Sequence, residues 1–188
     1  MMDSVIPNLD SAYLRILYWF FSFPSKVTSL SDLAKAVHLS KTTSTAVVKR
    51  LKKEGFLEVE SIGRVWRIKS NPNHPYNLSN KVAYNLQNVL ESDINEEAFK
   101  KVPQGRCLIL FGSYRKGDDV ESSDVDVAME VLGGVELKVM ELGKIPCLGF
   151  RRDVQVNLHI FSRAKVNPNL FANIANGIVL SGFLEVRP

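Results

Sequence analysis

Residues 107–129 read CLILFGSYRKGDDVESSDVDVAM, and the fold of the C-terminal half turns on them. Cys107 to Phe111 is a short unbroken apolar run, the mark of a buried strand. It ends directly in Gly112-Ser113. Residues 124–129 then alternate acid and apolar. Side chains alternate faces along a strand, so Asp124 and Asp126 project to one side while Val125 and Val127 enter the core. Two carboxylates on one strand face can hold a divalent cation between them. Mg²⁺ prefers oxygen ligands in octahedral geometry and usually shares its site with substrate phosphates. Gly112 lets the backbone approach a phosphate, and the Ser113 hydroxyl with neighbouring N–H groups can bind its oxygens. Arg115 and Lys116 add positive charge nearby, and Gly117 can turn the loop.

The string LFGSYRKGDDVESSDVDVAM resembles the signature of the DNA polymerase beta-type nucleotidyltransferase superfamily: a strand, Gly-Ser, a spacer, and Asp-x-Asp on the next strand. The minimal nucleotidyltransferase branch, which includes antitoxin partners in some prokaryotic modules, is closest in size. The resemblance covers residues 105–182. It implies that Gly112 and Ser113, with Arg115 and Lys116, bind the triphosphate of ATP or another NTP. It implies that Asp124 and Asp126 bind Mg²⁺ or Mn²⁺. The reaction it implies moves a nucleoside monophosphate onto a hydroxyl with loss of pyrophosphate, by two-metal chemistry that stabilises attacking and leaving oxygens.

The sequence departs from that pattern at one place. Catalytic members carry a third carboxylate on a later strand, and the candidate strand here is DVQVNLHI, residues 153–160. Val154, Val156, Leu158 and Ile160 form the core face; Asp153, Gln155, Asn157 and His159 share the other. By register the mid-strand position is Gln155 or Asn157. An amide cannot take the attacking hydroxyl's proton as a carboxylate can. Asp153, near the start of the strand, is then the fallback third catalytic acid, with Arg151 and Arg152 beside it to pair with it or with a phosphate. His159 can in principle act as the base; a lone His on a polar strand face is also an ordinary surface residue.

The front half reads differently. Residues 1–75 hold 11 Lys/Arg against 6 Asp/Glu, and the rest 13 against 14. A basic front half suggests a polyanionic partner. An aromatic helix spans 10–23, with Asp10 as N-cap and Pro24 as stop. Ser29 and Asp32 have capping-box spacing before the stripe Leu30, Leu33, Ala34, Val37. Ser40 caps a third helix, 41–54, that ends at Gly55; Val47 and Leu51 point inward. Leu57 and Val59 alternate with Glu58 and Glu60, a turn follows at 61–64, and Val65–Ile68 returns as a strand. Helix, helix, short turn, helix and ribbon is the order of a winged helix-turn-helix. The pattern LSDLAKAVHLSKTTSTAVVKRLKKEGFLEVE, residues 30–60, resembles archaeal and bacterial regulators of that class. The resemblance implies that helix 41–54 enters the major groove of double-stranded DNA and that the ribbon touches phosphate or the minor groove. Lys41, Thr42, Thr45, Lys49, Arg50, Lys52 and Lys53 on the helix, and Arg64 and Arg67 on the ribbon, supply phosphate and base-edge contacts. Winged helices also dock proteins, and a Lys-rich helix can be a solvated face.

The chain therefore reads as α+β: a winged helix-turn-helix at 1–75, a linker helix within 76–104 after the break Asn71–Tyr76, and a small mixed-sheet nucleotidyltransferase-like α/β domain at 105–188. The linker helix runs from Ser79 to Ser92 with Val82, Leu86, Val89 and Leu90 inward. Residues 133–144 fit helix or strand. Asn167-Pro168 starts a late helix that Gly177 ends, and 178–180 resembles a last extended segment. The apolar run 14–23 is too short to span a bilayer, so no membrane partner is expected. Cys107 and Cys147 lack metal spacing and sit in apolar surroundings, as buried thiols of a reducing, cytoplasmic compartment do. Two functions compete. One is a DNA-binding transcriptional regulator whose second domain binds NTP–Mg²⁺. The other is an active nucleotidyltransferase acting on a protein or small-molecule hydroxyl, in an antitoxin-like form on a toxin partner. A homodimer through the aromatic first helix is a further expectation by analogy.

Overall fold

The computed structural model describes residues 12–186, so the expected cap at Asp10 lies outside the described residues. They divide into two compact units, 12–84 and 85–186. The break falls inside a helix and not in the Pro- and Asn-rich stretch 71–76.

The first unit contains α1 (Ala12–Ser22), α2 (Leu30–Ala36), α3 (Lys41–Lys53), β1 (Leu57–Ile62) and β2 (Val65–Ser70). Ser29 caps α2 by accepting from the Asp32 N–H at 3.1 Å, and Ser40 caps α3 by accepting from the Thr43 N–H at 3.0 Å. The Ser29 hydroxyl donates to the Asp32 carboxylate at 2.7 Å. β1 and β2 pair antiparallel around a two-residue turn at Gly63-Arg64, and Thr28 adds a bridge to Ile68. The core is Ile16, Leu17, Trp19, Phe20 and Phe21 against Leu33, Val37, Val48, Leu51, Leu57 and Ile68. On α3 the inward set is Ser44, Val48 and Leu51, and Val47 is only half-buried. The expected pair Val47 and Leu51 was therefore one residue out of phase at its first member. Among the aromatic residues of α1, Trp19, Phe20 and Phe21 are buried, and Tyr13 and Tyr18 are half-buried.

α4 (Asn77–Leu90) spans the break, and α5 (Ile94–Lys101) follows. α4 starts two residues earlier than expected, and Leu90 is exposed, while Lys81, Asn85, Asn88 and Val89 are buried. α5 was not anticipated. Glu96 and Glu97 in its first turn and Lys100 and Lys101 in its last suit the helix dipole, and Ile94 and Ala98 form its buried stripe.

The rest of the second unit is β3 (Cys107–Phe111), α6 (Gly112–Lys116), β4 (Val125–Glu130), β5 (Lys138–Leu148), β6 (Arg151–Phe161), α7 (Pro168–Ala175) and β7 (Ile178–Gly182). The five strands form one mixed sheet in the order β5-β6-β4-β3-β7. β4 and β6 are parallel; every other pair is antiparallel. The ambiguous stretch after 133 is strand from Lys138. One sheet face packs Leu108, Leu110, Val125, Val127, Val154, Val156 and Leu158 with Ile94, Ala98 and Val102. The other carries Ile109, Phe111, Ala128 and Phe161 under Ile174, Leu170 and Phe171 of α7. Asn167 caps α7 by accepting from the Asn169 N–H at 2.9 Å. Cys107 is buried, with its thiol pushed up by burial and by the Glu130 carboxylate; Cys147 is only half-buried, and both are free. No helix among the described residues is long and apolar enough to cross a membrane.

Candidate functional site

β3 delivers the chain to Gly112 with φ +70, a left-handed conformation that costs a side-chain-bearing residue about 1 kcal/mol or more. There is a second reason for glycine. A Cβ at this position would lie 3.0 Å from Asp126 Oδ2. The backbone of the turn is thus pressed against one of the two carboxylates. α6 is a single turn carrying Ser113, Arg115 and Lys116; Gly117, at φ +78, ends it and donates to the Ser113 carbonyl at 2.8 Å.

The sheet places Asp126 between two neighbours. Phe111 is its antiparallel partner on β3, and Asn157 its parallel partner on β6. Asp124 stands exposed just before β4. The Asn157 Nδ2 donates to Asp124 Oδ2 at 3.3 Å and to Asp126 Oδ1 at 3.4 Å. Both bonds are long, so they are weak, but one amide group reaches both carboxylates. His159, two residues on and on the same face, places Nε2 3.1 Å from Asp126 Oδ1. Its ring stands edge-on to Phe111, centroids 4.9 Å apart. The remaining nitrogen, Nδ1, is buried without a hydrogen-bond partner among the described residues, so Nε2 is the nitrogen that faces the carboxylates.

Gly112, Arg115 and Lys116 line one groove with Phe111, Leu170, Asn173 and Asn176, between α6 and α7. Gly112, Ser113, Asp124 and Asp126 are thus brought together, with Asn157 at the mid-strand position. Asp153 is not among them. It is exposed, with φ +51 at the beginning of β6, four residues from Asn157. At the usual strand rise that separates them by about 13 Å along the strand. Arg151 beside it is buried and turns elsewhere: it donates to the Tyr114 hydroxyl and to the Ser123 carbonyl.

The donor set limits what the site can hold. Two carboxylates that converge on one amide suit a single Mg²⁺ that draws its other ligands from phosphate and water. Among the described residues there is no group of three or more His, Cys, Asp or Glu that could hold a metal ion.

On α3, Lys41, Thr42, Lys49, Lys52 and Lys53 are exposed, and Thr45 is half-buried with its hydroxyl donating to the Lys41 carbonyl at 2.7 Å. Ser44 is buried, so it is not an exposed hydroxyl. Arg50 is engaged within the unit. Its Nε lies 2.8 Å from Glu54 Oε1, and its guanidinium sits over the Tyr13 ring. Tyr13 donates to Glu54 Oε2 at 2.6 Å; burial, then that bond, pushes its hydroxyl up to about 12. On the ribbon Arg67 pairs with Glu60 at 3.5 Å and Lys69 with Glu58 at 2.9 Å, while Arg64 occupies the exposed turn. The sequence pattern marked these cations without revealing that Arg50 and Arg67 already have acidic partners.

Gly112→Ala is expected to cost about 1–2 kcal/mol from the left-handed backbone and the crowded Asp126 carboxylate. The melting transition of the second unit should fall by roughly 5–10 °C in differential scanning calorimetry, given the sensitivity of a unit of this size. An unchanged midpoint would mean that Asp126 swings away freely and that the contact is not a constraint.

Residues 92–169 match the family model of the nucleotidyltransferase domain. The match includes the turn, both aspartates and Asn157, so a nucleotidyltransferase domain is present in this chain. No curated protein and no solved structure matches the chain.

Proposed function

We propose, from the premise that residues 92–169 form a nucleotidyltransferase domain, that this chain is a duplex-DNA-binding regulator whose second unit holds a magnesium–nucleoside triphosphate as a ligand and does not turn it over. The observation that carries the reading is Asn157, whose amide reaches both Asp124 and Asp126 where a third acid would be needed. In this reading Ser113 and the backbone of the α6 turn bind phosphate oxygens, and Arg115 and Lys116 neutralise charge from the groove. Asp124 and Asp126 would hold Mg²⁺, whose contribution is to neutralise and orient the triphosphate. The mid-strand position supplies no base, because the Asn157 amide cannot take up the proton of an attacking hydroxyl as a carboxylate would. The first unit would supply the DNA contact through Lys41, Thr42, Lys49, Lys52 and Lys53 with Arg64 at the ribbon turn. The competing reading, transfer to a protein or small-molecule hydroxyl, is favoured by the gathering of Gly112, Ser113, Asp124 and Asp126 at one site.

Calorimetric titration with ATP, GTP, CTP and UTP tests the ligand reading. At least one should bind with Kd of about 1–100 μM in Mg²⁺, in the usual range of such sites. EDTA or Asp126→Ala should each weaken it by about tenfold or more, the scale of a charge-assisted contact. No labelled nucleotide should become covalently attached in a lysate. Robust Mg²⁺-dependent labelling by the wild-type protein would overturn the ligand reading in favour of the transferase, and absence of binding to all four would remove both.

A further inference from the structure

Ser113 and Asp124, the two ends of the proposed ligand site, are joined by residues 114–123. A ten-residue connection of this kind, turned by Gly117 and carrying Asp118, Ser122 and other polar residues, does not fix the distance between its ends. The β3–β4 ladder closes on Phe111 opposite Asp126, and Ser113 and Asp124 lie just beyond that last pair, where a further group can hold their spacing.

That group is buried under the connection. Arg151 is 8% exposed at the first position of β6. One terminal nitrogen donates to the hydroxyl of Tyr114, the first residue after Ser113. The other donates to the carbonyl of Ser123, the last residue before Asp124, at 2.5 Å. Its guanidinium carbon lies 5.6 Å from the centre of the Tyr114 ring. Tyr114 is fixed from a second side, because Asn85 Nδ2 donates to its carbonyl at 3.0 Å and to Asp119 Oδ1 at 2.6 Å. Tyr114, Asn85 and Asp119 are all buried.

Packing alone does not account for this choice of residue. A buried guanidinium carries a desolvation cost that an apolar side chain of similar volume avoids. What the planar fork provides, and a Lys or Met does not, is two donors held at a fixed separation. Here the two donors fall on the two ends of one connection.

We propose that Arg151 is a positioning residue that sets the spacing between the phosphate-binding turn at Ser113 and the metal-binding carboxylate of Asp124. The proposal rests on the reading of the site as a nucleotide–Mg²⁺ pocket. Arg151 touches neither ligand; it acts through Tyr114 and Ser123. Phosphate binding by the turn alone needs no particular spacing. Binding of a metal-bridged triphosphate does, because the turn and Asp124 must be engaged at once.

The test is calorimetry with ATP on the full chain carrying Arg151→Lys or Tyr114→Phe, each with Mg²⁺ and with EDTA. Tyr114→Phe removes one hydroxyl and keeps the ring, so it guards against a variant that fails to fold. Each substitution should weaken Mg²⁺–ATP binding by about tenfold or more and metal-free ATP binding by less than about threefold, the pattern of a lost geometric fit. Equal losses with and without Mg²⁺ would mean that the clamp merely supports the fold, and unchanged affinity in both would dismiss it; either result overturns this proposal while leaving the nucleotide-pocket reading standing. If the wild-type chain itself fails to bind Mg²⁺–ATP, the pocket reading and the proposal fall together.

Discussion

Asn157→Asp is expected to convert the site into one that needs Mg²⁺ for stability and gains nucleotide transfer. The wild-type amide donates to Asp124 at 3.3 Å and Asp126 at 3.4 Å, so it quietens two like charges that share a strand face. Aspartate at this position would remove the donor and add a third negative charge at the same separations. Two unit charges about 4 Å apart repel by roughly 1 kcal/mol in water and 4 kcal/mol at the effective dielectric of a protein surface. Asp124 is exposed and Asp126 partly so, which favours the lower figure. A total cost of about 2 kcal/mol in EDTA follows, and the transition of the second unit should fall by about 10 °C. Saturating Mg²⁺ should restore it, because a cation that binds only the folded site at a hundredfold excess over Kd returns about 2.7 kcal/mol. The wild-type midpoint should respond far less to Mg²⁺ alone. The catalytic arm follows from the same change. A carboxylate next to the aspartate pair can accept a hydroxyl proton, a contribution of about 10²–10⁴-fold. Pyrophosphate release from ATP and Mg²⁺ should rise by at least 100-fold over wild type on that scale. If the variant shows neither Mg²⁺-dependent stability nor faster release, the Asn157 amide is not what withholds turnover. If the wild type already releases pyrophosphate at the variant's rate, the transferase reading is the right one.

The sequence carried most of this site because short-range rules govern it. The unbroken run Cys107–Phe111, the glycine that follows, and the alternation around Asp126 are local signals, and the structure realises them as β3, α6 and β4. The third position was legible only down to Gln155 or Asn157. A strand has period two, so both lie on the right face, and nothing local selects one. The selection is made by the parallel register that sets Asn157 opposite Asp126, a pairing between residues far apart in the chain. Arg151 was beyond such reasoning for a different cause. A charged residue at the start of a strand reads as solvent-facing, and the Tyr114 hydroxyl and Ser123 carbonyl that accept from it make its burial tolerable. α4 failed in the same way. Leu86, Leu90 and Val82 drew an apolar stripe, yet Asn85 is buried because Asp119 and the Tyr114 carbonyl accept its two amide hydrogens, and Leu90 is left outside. Buried polar networks invert the hydrophobic pattern, and their partners come from other elements.

For the first unit, Lys49→Glu with Lys52→Glu is expected to weaken binding to a short DNA duplex by at least 100-fold. Both side chains are exposed on α3, and neither has an ion-pair partner among the described residues, unlike Arg50 and Arg67. A lysine that meets a phosphate releases about 0.9 counterion, which at 50 mM salt is worth about tenfold in affinity. Two lost contacts give about 100-fold, and the reversed charges add repulsion to that. The slope of log affinity against log salt should flatten by about two, one for each contact. Net charge alone must be separated from the helix. The double change takes the chain from a formal net charge of +4 to zero. Lys138→Glu with Lys144→Glu, on exposed positions of β5, reaches the same zero and serves as the control. If α3 is the DNA-contacting element, the control should lose less than about fivefold, because a lysine that meets no phosphate releases no counterion. Equal losses in the two variants would reduce the interaction to bulk attraction between a basic chain and a polyanion, and full retention by the α3 variant would remove that helix from the interface. Arg64→Ala isolates the ribbon in the same assay. It should lower the slope by about one on its own, since it is the ribbon cation that no acidic side chain among the described residues already holds.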